Sequence, residues 1–493
     1  MVDKQYLQDI VQWRDSGKVL FAGLSLIVLG SLAGAILLDE FLFLLAPFAF
    51  LIVYWCIVDF KAVFFLLLCC IPLSTEFVFP NGFGTDLPTE PLMVGLMAVY
   101  LIYSLRQAPR MSSHFLRHPM TLFVLLHLGW IFFSTIYSNL FIVSLKFSLA
   151  KTWYIVVFYF MAGSMLKTEK DLRRLFWFIF LPMLLTIFSV LYKHWQEDFS
   201  FAKVNSVLDP FYRNHVNYAC ILVLFFPFLW NARRWFATFS RKWWLLLAAA
   251  GIYLIAIQLS YTRAAYVALF MAAGAYVIIR LRLVRYVLGA VLVGALAFVV
   301  YMGVNNKYLD YAPNFEKTIT HRNFDNLVSA TYKGEDISTM ERFYRWIAGT
   351  YMGLEEPLTG FGPGNFYNFY RSYTVRSFET YVSDNPEKSG IHSYYLMTLS
   401  EQGFPGLLLF LCLCFYGLIK GESIYHQTED DFKQAWVMAI LLSMIVIDAL
   451  LLINDMIETD KVGTFFFLHL AMLVNIDLAN RKLLDPAPAS PTP

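Results

Sequence analysis

Basic side chains stand directly beside long apolar runs in this sequence, where they could hold an anionic group. Arg263, in the stretch QLSYTRAAYVAL, lies between two such runs with almost no loop. Its neighbours Ala264 and Ala265 are small enough for other helices to pack closely, and an arginine in that setting favours a functional site. Snorkelling of the side chain to a lipid phosphate is the alternative.

Further cations precede two other apolar runs. Lys146 and Lys151 come before one run, and Arg213 comes before another together with His215 and Asn217. A guanidinium fork binds phosphate oxygens in pairs, whereas lysine supplies a point charge. These side chains could therefore converge on one anionic group. Independent anchoring of each at the membrane interface is the alternative.

A polar stretch carries a third group of candidates. Ser338 and Glu341 form a capping-box pattern, which predicts a helix from about 339 to 353. Arg342, Arg345 and Trp346 then share one face, because positions three and four residues apart stack on a helix. That face offers two guanidinium groups beside an indole. A solvated basic face is the alternative.

Two more features follow in the same stretch. Gly360, Gly362 and Gly364 alternate with other residues, a pattern that permits turns closed to side chains with a Cβ. His392 then stands at the predicted start of another helix, where an imidazole can titrate near neutral pH. An isolated histidine can instead be a structural hydrogen-bonder, and its company of arginines favours the chemical role.

Several other chemistries find no support in the sequence. There is no H-E-x-x-H, no G-x-S-x-G, no cysteine outside the apolar runs and no cluster at metal-ligand spacing. The acidic group Asp455, Glu458 and Asp460 is the one place where a cation could bind, with a solvated loop as the alternative. We therefore expect neither a metal nor a cofactor.

The composition requires a membrane to solvate these elements. Apolar residues make up 58% of the chain, charged residues 15%, and the mean hydropathy is +0.57. A net charge of +2 gives no field that would attract nucleic acid. We predict an all-α polytopic membrane protein with 12–14 transmembrane helices. The number is a range because the third apolar run is short, and because residues 41–73 could form one span plus a re-entrant segment. The fourteen apolar runs are 19–38, 41–58, 62–73, 88–105, 120–138, 152–166, 174–192, 216–231, 243–260, 262–280, 283–303, 404–420, 434–453 and 462–478.

The distribution of lysine and arginine predicts how the chain is oriented. With both termini inside, 22 of the 38 basic residues fall in inner connections and seven in short outer ones, as the positive-inside rule requires. The other nine lie in one long outer segment. The predicted divisions are transmembrane helices 1–11 (1–303), the long loop (304–402), the C-terminal transmembrane helices (403–480) and a disordered inner tail (481–493).

The candidate residues resemble motifs of the O-antigen ligase and polymerase family, which are bacterial membrane glycosyltransferases. Arg342 with Trp346 is similar to the family's R-x-x-x-W, and residues 357–366 to its P-L-x-G-x-G-x-x-x-F. His392, with Tyr395 and the Glu401-Gln402-Gly403 stretch, is similar to H-N-x-x-L…E-x-G-x-x-G, although Ser393 replaces the usual asparagine. Arg263 is similar to the intramembrane S-x-[TS]-R-[AGT]-A motif, and Arg213 with Asn217 to R-x-x-x-N.

The resemblance implies a GT-C-like fold in the bacterial inner membrane, with cytoplasmic termini and a periplasmic loop that contains short helices. It implies an inverting, metal-independent transfer of a preassembled glycan from undecaprenyl pyrophosphate to an acceptor hydroxyl of lipid A core. His392 would be the general base, since an ordinary imidazole pKa of about 6.5 lies near the working pH. The donor pyrophosphate would be held by a set of cations, and the arginines would stabilise the leaving group. That set is Arg213, Arg263, Arg342, Arg345, Lys146 and Lys151, with Asn217, Tyr395 and Glu401 as accessory residues.

Other functions remain open at this point. A repeat-unit polymerase or a protein O-oligosaccharyltransferase of the same family would bind the same leaving group and differ only in the acceptor. A lipid-linked oligosaccharide flippase is the alternative from another class. Transporters carry ionisable residues or paired broken helices inside the membrane, and His127, Asp448 and His469 are the few such residues here.

Overall fold

The computed structural model describes residues 4–38, 43–44, 46–78, 84–106, 112–314, 318, 336–385 and 388–482. Within them, 11 helices are long and apolar enough to cross a membrane, and three shorter apolar helices add to these. The prediction of a polytopic α-helical membrane protein is confirmed. Most of the predicted inner tail lies outside the described residues.

The α-helices of the described residues alternate with short connections over most of the chain. In chain order they are α1 (Lys4–Leu38), α2 (Ala46–Val58), α3 (Phe60–Cys70), α4 (Thr89–Arg106), α5 (Ser113–Leu116), α6 (Pro119–Ile136), α7 (Phe141–Ile155), α8 (Ala162–Met165), α9 (Glu169–Gln196), α10 (His215–Ala232), α11 (Arg241–Leu259), α12 (Arg263–Arg280), α13 (Val284–Gly303), α14 (Ile337–Glu355), α15 (Phe366–Phe369), α16 (Tyr394–Gln427), α17 (Asp431–Leu450) and α18 (Asp460–Asn480). Single 3₁₀ turns are Ile71–Leu73, Phe201–Lys203, Ser206–Leu208, Arg233–Trp235, Val304–Tyr311, Tyr370–Tyr373, Arg376–Phe378 and Met456–Glu458.

The region 41–73 contains two short helices in its described part. Helix α2 has 13 residues and α3 has 11, and each is shorter than the roughly 20 residues that one span needs. Asp59 separates them, because its side chain accepts a hydrogen bond from the backbone N–H of Ala62 and caps α3. The break therefore has a local cause in the sequence.

The sixth apolar helix begins earlier than the sequence predicted. Helix α7 starts at Phe141 and continues through a π-helical turn, Val156–Met161, into α8. Lys146 and Lys151 therefore lie inside this helix instead of preceding it. The hydropathy of the first half of α7 is lowered by Ser144, Ser148 and the two lysines. For this reason the predicted start fell at residue 152.

A two-stranded antiparallel hairpin departs from the purely helical prediction. Strands β1 (Thr75–Val78) and β2 (Gly84–Leu87) pair with Thr75 opposite Leu87. The hairpin precedes α4, and the hydroxyl of Thr85 donates to the Glu90 carboxylate at 2.7 Å. It packs beside the loops that carry the candidate site.

Helix α14 is longer than predicted, and its N-cap is a different residue. Asp336 caps it, since the Asp336 side chain accepts a hydrogen bond from the backbone N–H of Thr339. The predicted capping box of Ser338 and Glu341 is wrong. Glu341 is buried and instead accepts hydrogen bonds from Thr380 and from Ser383, the latter at 2.6 Å.

The alternating glycines form a tight turn against the membrane helices. Gly360, Gly362 and Gly364 have φ values of +63°, +97° and +78°, which side chains with a Cβ rarely adopt. A Cβ on Gly362 would lie 2.1 Å from Oγ of Ser138. The Glu401 carboxylate, on α16, accepts the backbone N–H of Gly364 at 2.8 Å. The turn thus fastens the long polar stretch to both α6 and α16.

We predict that Gly362→Ala destabilises the protein by about 2–3 kcal/mol, because the new methyl meets Ser138 and the backbone keeps a positive φ. Thermal unfolding of the purified protein in detergent would measure the loss. Gly251→Ala is the matched control, since nothing lies within 4 Å of a Cβ built there in α11. Equal midpoints for wild type and Gly362→Ala would contradict the packing described here.

Candidate functional site

The N-terminus of membrane helix α12 meets the N-terminus of α14 through one ion pair. Arg263 is the first residue of α12, and its guanidinium lies 3.1 Å from Oδ2 of Asp336. The Asp336 side chain is only 1% exposed, whereas that of Arg263 is 28% exposed. Because Asp336 also caps α14, this carboxylate ties the two helices together.

Arg342 supplies a second guanidinium to the same place. Burial lowers the pKa of the Arg342 guanidinium. The Asp336 carboxylate raises this pKa, and the charges of Arg263 and Arg345 lower it further. These effects place Arg342 within electrostatic reach of both other arginines. Its buried Nε has no hydrogen-bond acceptor among the described residues. Arg342 therefore lies near the ion pair of Arg263 and Asp336, with one buried donor that no described residue binds.

His392 faces the same arginines from the loop that precedes α16. Burial lowers the pKa of its imidazole to about 3, and the charges of Arg342 and Arg345 contribute. The histidine is therefore neutral at neutral pH, and the expectation that it titrates there is wrong for this structure. A neutral imidazole has a nitrogen lone pair free to accept a proton.

Asp336 and His215 also belong to this cluster, and of the two only Asp336 was not among the residues expected there. Asp336 had no motif to mark it, and only its position before a helix could have suggested a cap. His215 follows Arg213 closely, and both Arg342 and Arg263 lie within its electrostatic reach. Its Nδ1 is 2.9 Å from Oδ1 of Asn205, which fixes the orientation of the ring.

Arg213 lies at the rim of the cluster. Its guanidinium is 64% exposed and stands 3.8 Å from the Glu76 carboxylate, which belongs to strand β1. Burial raises the pKa of Asp455, and the charges of Arg345 and Arg213 counteract this, so both arginines lie within electrostatic reach of that loop. Arg213 is therefore the most accessible of the four arginines in this region.

Arg345 is committed to other partners. It is buried, pairs with Glu341 at 3.3 Å and donates to the backbone oxygen of Gly390 at 3.2 Å. Those contacts fix the loop that carries His392. Arg345 thus lies beside the cluster with both terminal nitrogens bound by the protein, while its buried Nε has no acceptor among the described residues.

The two lysines do not join the arginines. Lys146 is exposed on α7. Lys151 is buried, and its Nζ lies 2.6 Å from Oε1 of Glu458 and 3.4 Å from the hydroxyl of Tyr394. Since a buried ion pair is costly to break, Lys151 is engaged by Glu458.

The three accessory residues also have structural contacts. The backbone N–H of Asn217 donates to the Asn214 side chain at the start of α10, and its own side chain is half-buried. The hydroxyl of Tyr395 donates to the backbone oxygen of Asp448 at 3.1 Å. Glu401 binds the glycine turn. None of these contacts reaches His392 within the described part of the chain.

The acidic group between the last two helices is dispersed. Glu458 pairs with Lys151, whereas Asp460 is buried and accepts a hydrogen bond from the hydroxyl of Thr89 at 2.9 Å. Asp455 lies against Gly390, where an added Cβ would come within 2.3 Å of its Oδ2. The described residues contain no group of three potential ligands that could hold a metal ion.

Fold and site together define a polytopic α-helical membrane protein that gathers arginine and histidine side chains where membrane helices meet a long polar segment. The family model described as O-antigen ligase matches residues 248–411, about a third of the chain, and this match supports the resemblance to the O-antigen ligase/polymerase family over that segment. The matched segment contains Arg263, Arg342 and His392 and leaves Arg213 outside. A comparison with curated proteins finds no match. The family supports a ligase or polymerase type of activity in general.

The low pKa of His392 predicts a pH dependence of stability. Below its ordinary pKa of about 6.5 the unfolded chain binds a proton that the folded chain takes up only near pH 3, so acidification through this window destabilises the fold. His392→Gln should remove about 2 kcal/mol of the stability lost between pH 7 and pH 5. Thermal midpoints at the two pH values would measure the difference. The exposed His114, replaced by glutamine, is the control, and identical losses in both variants would contradict a buried, neutral His392.

Proposed function

We propose that this protein is an O-antigen ligase type of glycosyltransferase, which moves a preassembled glycan from undecaprenyl pyrophosphate to an acceptor hydroxyl of lipid A core. The observation that carries the proposal is the ion pair of Arg263 with the buried Asp336 carboxylate, with Arg342 within electrostatic reach of both members of the pair and of His392. Guanidinium groups bind phosphate oxygens in pairs, so two arginines placed close together at the membrane suit a pyrophosphate ligand.

In the proposed reaction, Arg263 and Arg342 bind the donor pyrophosphate, and Arg213 contributes from the rim. Neutral His392 takes the proton from the acceptor hydroxyl as its oxygen attacks the anomeric carbon. The bond from that carbon to the phosphate oxygen breaks, and its electron pair leaves with undecaprenyl pyrophosphate, so the anomeric configuration inverts. The arginines stabilise the charge that develops on the leaving oxygen.

Donor binding would also strengthen the base. The positive charges of Arg342 and Arg345 help to keep the pKa of His392 low. A pyrophosphate bound between Arg263 and Arg342, close to the imidazole, would offset part of that charge and raise the proton affinity of the ring. The base would thus become effective when the donor is in place.

The proposed orientation puts the cluster at the periplasmic face of the bacterial inner membrane, with both termini in the cytoplasm. The basic residues of the inner connections support this, as the positive-inside rule applies to short loops. The long polar segment would then cover the site from the periplasm. Undecaprenyl chains would reach Arg263 laterally from the bilayer.

The first test is transfer by the purified protein in lipid, with a lipid-linked glycan and lipid A core. We expect His392→Ala to lower kcat by about 100-fold or more, because the acceptor proton loses its base. His114→Ala is the control, since this exposed histidine lies on α5, outside the cluster. Full transfer by His392→Ala would refute the assignment of the base.

The second test concerns the donor. We expect Arg263→Lys and Arg342→Lys each to raise the KM for the lipid-linked glycan about tenfold, because lysine keeps the charge and loses the paired hydrogen bonds. Arg376→Lys, an exposed position on the same polar segment, is the matched control. Unchanged donor KM in both cluster variants would favour simple anchoring of the arginines.

The product separates ligase from polymerase. Glycan attached to lipid A core supports the ligase, whereas a ladder of polymer on undecaprenyl pyrophosphate would assign the chain to repeat-unit polymerisation. Glycan attached to a protein acceptor would assign it to O-glycosylation.

A further inference from the structure

The backbone of His392 has an unusual conformation. Its φ is +56°, in the left-handed region that residues with a Cβ rarely adopt. Such a conformation costs free energy and persists only where surrounding contacts enforce it. The contacts around residues 390–394 therefore determine where the imidazole points.

One side of this stretch is held by two consecutive residues of α14. Nε1 of Trp346 donates to the backbone oxygen of His392 at 3.3 Å, and Arg345 donates to the backbone oxygen of Gly390 at 3.2 Å. Between them, the side chain of Ile391 is fully buried. Its Cδ1 occupies the space beside Gly349, where an added Cβ would lie only 2.2 Å away.

The opposite side is held by the loop between α17 and α18. The backbone N–H of Tyr394 donates to the carbonyl oxygens of Leu451 at 2.9 Å and Asn454 at 3.1 Å. The Tyr394 ring is itself buried against Lys151, whose Nζ lies 5.4 Å from the ring centroid. Residue 392 is thus fixed from both directions, and its own carbonyl is fixed by Trp346.

We propose that Trp346 is a positioning residue, whose indole N–H holds the carbonyl of His392 and so keeps the left-handed backbone that turns the imidazole toward Arg342. This inference rests on the proposed function, in which His392 is the base. Trp346 touches neither donor nor acceptor in the proposal and acts through the loop. The proposal requires the indole N–H as a hydrogen-bond donor. Phenylalanine would fill most of the same space but has no N–H.

The test removes the N–H and leaves the ring. Trp346→Phe should lower kcat about tenfold, equivalent to about 1.4 kcal/mol, while the donor KM changes less than about twofold. Replacement of Trp346 by β-(3-benzothienyl)alanine, which keeps the bicyclic shape and replaces the N–H by sulfur, should give the same result. This second variant separates the hydrogen bond from packing if Trp346→Phe folds poorly.

The pH profile is a readout that general destabilisation would not change. A loosened loop would hydrate the imidazole and take it away from Arg342 and Arg345, so the acid limb of kcat against pH should move to higher pH in both variants. Tyr351→Phe is the matched control on α14, because its hydroxyl contacts Tyr308 at 2.7 Å and does not reach the loop. Its kcat and pH profile should equal those of wild type.

The outcomes distinguish this inference from the proposed function. A normal kcat and an unmoved acid limb in the benzothienyl variant, with His392→Ala inactive, would overturn the role of Trp346 and leave the base assignment intact. Full activity of His392→Ala would overturn the base assignment and the inference together. The role of Trp346 is supported if both Trp346 variants lower kcat and shift the acid limb, with the donor KM unchanged in both.

Discussion

The ion pair between Arg263 and Asp336 joins a membrane helix to the polar segment above it, and the rest of the site depends on it. Arg263 begins α12, Asp336 caps α14, and the carboxylate is buried between them. Arg342 then approaches from the next turn of α14 and shares the field of the same carboxylate. Among the described residues, the buried Nε of Arg342 has no hydrogen-bond acceptor, so the hydrogen bonding of this cluster is incomplete. An anionic ligand would complete it.

Two further sets of contacts hold the polar segment in place over the membrane helices. The glycine turn docks on Ser138 and is bound by Glu401, so one end of the segment cannot move without breaking buried hydrogen bonds. The loop around Leu451 holds the N–H of Tyr394 at the other end. His392 lies between these restraints and α14. A base that must meet an acceptor hydroxyl at hydrogen-bond distance benefits from this rigidity.

The helices, and the position of Arg263 at the start of one of them, were predictable from sequence. The length of an apolar run and the absence of a loop are local properties. The partners of the side chains were not predictable, because they come from contacts between distant parts of the chain. Lys151 and Arg213 are both basic residues that were expected just before an apolar run. The partner of Lys151, Glu458, lies 307 positions further along the chain, so the sequence did not indicate it. Arg345 was expected to face the ligand by helical spacing, and that spacing cannot show that Glu341 and Gly390 occupy its N–H groups. The pKa of His392 likewise depends on burial and neighbours that no motif records.

The most direct measurement is an electron cryomicroscopy structure of the protein with an undecaprenyl-pyrophosphate-linked glycan in a lipid environment. The account predicts that the pyrophosphate lies between the guanidinium groups of Arg263 and Arg342, with the anomeric carbon on the side of His392. Density for the pyrophosphate elsewhere, with the pair of Arg263 and Asp336 unchanged and His392 facing no sugar, would contradict it.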